Sequence, residues 1–202
     1  MTDPDLVSLI ITLRLATVTT IFLVLIGTPL AWFLSNSNNF LRNFIEPIIA
    51  LPIVLPPTVV GFYLLIAFSP ESLPGHIWQS ASGSTLAFSF TGLVIGSIIY
   101  SLPFYVQPLQ VAFSNLRPEL IEAAATLGAG PIDRFFNLIV PLSRRGFVIA
   151  ICLSFAHTVG EFGIVLMIGG NLPAETRVLS IALFDHVEAL DYERAHILAL
   201  GL

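Results

Sequence analysis

No lysine occurs in the 202 residues, and cysteine occurs once, as Cys152. One cysteine excludes an intrachain disulfide framework and a paired-thiol metal site. Charge is scarce as well: 10% of residues are charged, against roughly 25% in soluble globular domains. The net charge of −5 argues against nucleic acid as a partner, because a basic binding surface is missing. A G-x-x-x-x-G-K-S/T phosphate loop is also missing. GAGP at 128–131 has no lysine and follows no strand pattern, so ATP hydrolysis has no site in this sequence. The opening MTDPDLVSLI carries acids where a secretory leader carries positive charge, which speaks against a cleaved signal peptide.

Apolar residues dominate instead, at 55%, with a mean hydropathy of +0.90. A membrane helix needs about 20 mainly apolar residues. Leu15–Leu34 is free of charge and predicts a first span over roughly 9–34. SNSNNF follows as a short polar loop. Pro47–Ser69 is again uncharged and predicts a second span, broken by Pro52, Pro56 and Pro57. A polar loop over 69–84 carries Trp78, an expected interfacial anchor.

The third span is predicted over 85–113. At about 29 residues it would be about 43 Å long, so one end projects from the hydrocarbon, bent by Pro103 and Pro108. A charged segment fills 114–145. The fourth span is predicted over 146–170 and carries one carboxylate, Glu161. Residues 171–196 read as a polar, largely acidic outer loop. A new apolar run starts at Ile197 and stops at Leu202, which predicts a fifth span cut short.

Arginine placement sets the expected orientation. Arg42, Arg117, Arg134, Arg144 and Arg145 fall in loops on one side, which makes 114–145 cytoplasmic and puts the N-terminus outside, Asp3 and Asp5 included. Within 114–145, Pro118 suits the first turn of a helix and Glu119 favours its positive end. Gly128 is the expected left-handed stop. Pro131 starts a second short helix, with Asp133 in its first turn and Phe135 and Phe136 as apolar anchors. Pro141 is expected to end it. Ala123, Ala124 and Ala125 leave one flank of the first helix nearly bare, so a partner can approach closely.

Glu122-Ala-Ala, three residues, Gly128, nine residues, Leu138, one residue and Val140-Pro141 resembles the EAA signature of ABC importer permeases. Leu138 and Val140 replace the usual isoleucine and leucine and stay apolar. The resemblance implies a coupling helix docked on a cytoplasmic ATP-binding subunit. Glu122, Ala123, Ala124 and Gly128 would lie at the contact, with Pro141 fixing the exit into the fourth span. LPIVLPPTVVGFYLL and the GEFG…GGNLPAETR run look like molybdate permeases, a resemblance that extends over nearly the whole chain.

That resemblance implies an all-α polytopic membrane protein of about five spans, the last truncated at residue 202, with a cytoplasmic coupling helix. It implies one permease domain over 1–202, with the coupling segment 114–145 inside it. The chain would sit in the plasma (inner) membrane as a multi-pass homodimer. It would be served by an external oxyanion-binding protein, and ATP would be hydrolysed on the separate subunit. Pro56, Pro57, Thr158, Gly160, Glu161, Phe162, Gly163 and Asn171 are the pathway and gate candidates. No cofactor or metal is expected.

Bland readings stand beside the sharp ones. Glu161 is a poor ligand for a dianion and is expected to shape a helix break between Gly160 and Gly163. His157, at i−4, is expected to share its face. Two such ligands fall short of a zinc site. Arg14 is expected to snorkel to the interface, and Gly92 with Gly96 to pack spans closely. His186, Glu188, Asp191 and His196 read as a solvated outer patch. The rivals are a sulfate, thiosulfate or tungstate permease, an ion-coupled secondary transporter, and an intramembrane enzyme using His157 and Glu161.

Overall fold

A computed structural model describes residues 4–37 and 40–202. Asp3 of the predicted outer terminus, and Asn38 and Asn39 of the first predicted loop, lie outside the described residues. Every regular element among the described residues is helical. Two helices are long and apolar enough to cross a bilayer alone: α1 (Pro4–Asn36) and α5 (Phe90–Ser114). Two bent pairs, Phe40–Val54 with Pro57–Phe68 and Pro131–Leu142 with Arg144–Gly160, are long and apolar enough only when each is taken together.

α1 is apolar almost all round, and its inner face is marked by hydroxyls and small residues set among leucines. Buried are Ser8, Thr12, Ala16, Thr19, Thr20, Gly27, Thr28 and Ala31, with Ile11, Leu15, Leu23 and Leu34. Its exposed residues include Ile10, Leu13, Ile21, Phe22, Leu25 and Ile26. Lipid tails are as apolar as leucine, so spans associate by close packing, and small residues at the seam let backbones approach. α5 meets this face as the central helix. The Tyr105 ring rests against Gly27, and its hydroxyl shares a 2.9 Å hydrogen bond with Thr28 Oγ1. α9 (Arg144–Gly160) repeats the device, burying Gly146, Ala150, Ser154 and Thr158 at every fourth position.

The predicted second span is two helices. α2 (Phe40–Val54) and α3 (Pro57–Phe68) meet at a 113° bend around Leu55 and Pro56. α2 is fastened to α5 by one polar link. Gln110 Nε2 donates to Glu46 Oε1 at 2.9 Å, while Arg42 Nε donates to Glu46 Oε2 at 3.1 Å. The predicted polar loop after it contains α4 (Leu73–Ser82), capped by Ser72 Oγ accepting from the Gly75 N–H. Trp78 of α4 is packed against core residues rather than held at an interface alone.

Past α5 come α6 (Pro118–Thr126), α7 (Pro131–Arg134), a π-helical turn (Phe135–Ile139) and α8 (Val140–Leu142). Pro141 lies inside the last turn instead of ending it. The helix stops at Leu142, and the chain bends by 74° into α9. Phe135 packs edge-on against Trp32, whereas Phe136 is 63% exposed, so only one of the two expected anchors is anchored. α10 (Gly163–Gly169) is a separate short helix. α11 (Leu179–Glu188) lies within the predicted outer loop. α12 (Tyr192–Gly201) occupies the start of the predicted fifth span.

The buried residues form two storeys. One gathers Leu15, Phe68, Leu93, Ile164, Ile168 and Ile181 around the first half of α1. The other gathers Leu23, Leu34, Tyr105, Leu109, Phe113 and Ile139 around its second half. Gly92 and Gly96 do not share one seam. Gly92 faces the Leu86 carbonyl of its own lead-in, and Gly96 receives Ile168 of α10.

A Cβ at Gly27 would lie 2.5 Å from Tyr105 Cδ1, so Gly27→Leu must push α1 off α5. Overpacking of this kind costs about 1–3 kcal/mol. The detergent unfolding midpoint should fall by roughly 2–10 °C. Gly160→Ala, with open space around the added carbon, should leave it unchanged or raise it.

Candidate translocation gate and coupling segment

Two spans are interrupted, and the interruptions meet. A Cβ on Gly163 would lie 2.6 Å from Pro57 Cβ, and one on Gly61 would lie 2.8 Å from Met167 Cβ. Position 57 therefore pairs with 163, and 61 with 167. The offset is four residues on both chains, so α3 and α10 run parallel and start at the same level. Pro56 and Pro57 break the second span because neither supplies an N–H, and Pro57 then suits the N1 position of α3.

The second break is held by side chains. Glu161 is 8% exposed, and its Oε1 accepts the Ile164 N–H at 3.0 Å, capping α10. The Glu161 carbonyl, freed where α9 stops, accepts the Ser180 hydroxyl at 2.6 Å. At the far end of α10 the Gly169 carbonyl accepts Thr176 Oγ1 at 2.6 Å. Irregular backbone at membrane depth is tolerated where such partners exist. Thr12 Oγ1 takes the Leu179 N–H at 2.7 Å, so α11, which carries Ser180, is itself pinned to α1. The carboxylate thus has its oxygen turned onto backbone donors.

His157 and Glu161 part company. His157 Nδ1 lies 2.9 Å from Ser101 Oγ, and its ring stacks on Phe104 with centroids 3.8 Å apart. Ser101 is also 3.0 Å from Thr158 Oγ1, which donates to the Ser154 carbonyl. The shared helical face therefore does not produce a His–Glu pair, because each residue is taken by a different neighbour. Ser101 and Ser180 were not singled out in the sequence. The available signal was a lone hydroxyl in an apolar stretch, which often serves as a link between spans.

Of the remaining gate candidates, Phe162 packs against Phe184 with centroids 5.0 Å apart, while Gly160 is exposed. Asn171 is apart from the breaks. Its Nδ2 donates to both oxygens of Asp185, which also pairs with Arg177 at 2.9 Å. In the outer patch His186 binds Asp5 at 3.1 Å, with Asp191 at 3.9 Å. Among the described residues no group of three His, Cys, Asp or Glu could hold a metal ion. Arg14 rests over the Phe90 ring at 4.5 Å from its centroid.

The coupling segment is built in the opposite manner. α6 buries no residue. Gly128, at φ +91°, closes it: the Gly128 N–H bonds the Ala125 carbonyl, and the Ala129 N–H bonds the Ala124 carbonyl. This double bond is the Schellman stop, which needs a residue without strain in the left-handed region. Only Ile121 reaches the core cluster, and Leu127 is 88% exposed.

Residues 8–190 match the family described as binding-protein-dependent transport system inner membrane component. The chain belongs to this family. It is an ABC transporter permease, a transport subunit and a multi-pass membrane protein. Among its relatives, the molybdenum transport system permease protein ModB of Azotobacter vinelandii is 51% identical over the whole chain and 89% of the relative. The protein of the same name from Escherichia coli K12 is 31% identical over 93% of the chain and 82% of the relative. The sulfate transport system permease protein CysT of that organism is 32% identical over 98% of the chain and 72% of the relative.

Removing the cap tests the assignment of Glu161 to the break. Glu161→Ala leaves the Ile164 N–H without its acceptor, at a cost of about 1 kcal/mol. Hydrogen exchange over 162–170 should quicken several-fold, and Glu161→Gln, which keeps an acceptor, should restore much of the protection. Unchanged exchange in the alanine variant would remove the cap from the account.

Proposed function

We propose that the chain is the membrane subunit of an ATP-driven importer of molybdate, working as a homodimer with two cytoplasmic ATP-binding subunits. An external oxyanion-binding protein delivers the cargo. The whole of 1–202 acts as one permease domain, with 114–145 as its coupling segment on the cytoplasmic side and the N-terminus outside. The observation that carries the coupling role is α6 itself: a capped helix with no buried residue and an 88% exposed Leu127, carrying the EAA spacing. An apolar side chain so placed on a stable helix is suited to a partner's groove.

Glu122, Ala123, Ala124 and Gly128 make that contact. The small alanines let the partner approach closely, and Pro141 directs the chain toward α9. Motion of α6 is passed through Phe135, which packs edge-on against Trp32 and at a tilt against Phe113 at the end of α5. The gate is where α3 and α10 start side by side. Pro56, Pro57, Gly160, Glu161, Phe162 and Gly163 form it, Thr158 ties it to α5, and Asn171, apart from the breaks, holds Asp185 beyond the end of α10. No arginine lies at these breaks, so the path holds a dianion weakly and releases it. Selection then rests with the binding protein.

A sulfate permease is the second reading, favoured by the 32% identity to the CysT protein. Molybdate and sulfate are both tetrahedral dianions, and the 51% identity to the molybdenum permease across the full chain favours molybdate.

The test is uptake and ATP hydrolysis in vesicles holding the full assembly. Molybdate uptake should exceed sulfate uptake when the cognate binding protein is present. Gly128→Val forces a β-branched residue into φ +91° and should cut uptake roughly tenfold or more while hydrolysis persists. Uptake that survives Gly128→Val together with Glu122→Lys would refute the coupling role, and a sulfate preference would refute the cargo.

A further inference from the structure

An open groove of about 500 Å³ lies between the second half of α1 and the start of α9. Leu25, Pro29 and Trp32 form one wall, and Phe135, Phe136 and Phe147 the other. Its one hydroxyl, Thr28 Oγ1, is already bonded to Tyr105. The other lining side chains are apolar apart from the Trp32 indole N–H, which suits hydrocarbon.

Three arginines flank the groove residues in the chain, though none of them lines the groove itself. Arg134 directly precedes Phe135, and Arg144 stands one turn before Phe147 on α9. Arg144 and Arg145 also border a second shallow groove over Val148 and Ile149, of about 380 Å³. No ion pair among the described residues engages Arg134, Arg144 or Arg145. Arg134 Nε is buried without a hydrogen-bond partner. The nearest acid in sequence, Asp133, is occupied by Asn137. The positive end of α9, 17 residues long with no side-chain cap, adds to the same field.

We propose that this surface binds an anionic phospholipid of the leaflet nearest the coupling segment. The acyl chain lies along the aromatic groove, and the phosphate sits against Arg134, Arg144 and Arg145. Basic pockets beside membrane helices are suited to such headgroups. Because Phe135 and Val140 of the groove belong to the coupling segment, bound lipid would brace the joint between that segment and α1.

Trp32 reports on the groove directly. The chain has two tryptophans, so Trp78→Phe leaves Trp32 alone. The full chain is placed in vesicles containing phosphatidylglycerol or phosphatidylcholine with brominated acyl chains, which quench tryptophan on contact. Brominated phosphatidylglycerol should reach half-maximal quenching at a mole fraction roughly fivefold lower than brominated phosphatidylcholine. High salt should shrink that difference. Combined Arg134→Gln, Arg144→Gln and Arg145→Gln substitutions should abolish it while quenching by phosphatidylcholine persists. Equal quenching by both lipids would overturn the proposal. So would a preference untouched by salt and by the substitutions. Failure of either lipid to quench Trp32 would mean that protein covers the groove, and would overturn it equally.

Discussion

A bilayer offers no hydrogen-bond partner, so every backbone group freed inside it must be satisfied by the protein. That constraint governs the two interrupted spans. At one, proline removes the donor altogether, and Pro57 begins α3 where its missing N–H costs nothing. At the other, Glu161 caps α10 and Ser180 takes the stranded carbonyl. α11 carries Ser180, and Thr12 holds α11 onto α1. A helix from the predicted outer loop is thus part of the structure of a break inside the fourth span. Glycines at 61 and 163 then allow α3 and α10 to lie side by side with their starts aligned.

The coupling segment answers the same backbone requirement in water. Its stop at Gly128 is closed by two backbone bonds and borrows no side chain from the bundle. The outer face of α6 is exposed, while Ile121 and Phe135 keep the segment attached to the core. The gate depends on contacts among four helices, and the coupling helix stands nearly alone. Packing is dense around the two breaks, and exposed surface lies on α6.

The long elements were legible because charge and hydropathy write them plainly. α1, α5 and the helix starting at Pro118 lie close to their expected bounds. The stop at Gly128 was readable because few residues other than glycine accept φ +91°. What polarity could not write was which face of a span looks inward. In α1 and α9 small residues such as Gly27, Ala31, Gly146 and Ala150 share that choice, in α1 beside buried leucines, in stretches that are apolar on both faces. The 113° bend was hidden for a related reason: prolines mark a break without stating its angle. His157 and Glu161 share a helical face by spacing, yet their partners Ser101 and Ile164 are assigned by tertiary packing that spacing does not contain.

The central claim is that the paired breaks border an aqueous path and not lipid. Cysteines at Thr58 and Gly160, both exposed and adjoining the breaks, test it most directly once Cys152 is replaced by serine. In the assembled importer, a charged, membrane-impermeant thiol reagent should modify both positions, and modification should change between the nucleotide-free and ATP-bound states. Reaction only with a lipid-soluble maleimide, insensitive to nucleotide, would place the breaks against lipid and contradict the account.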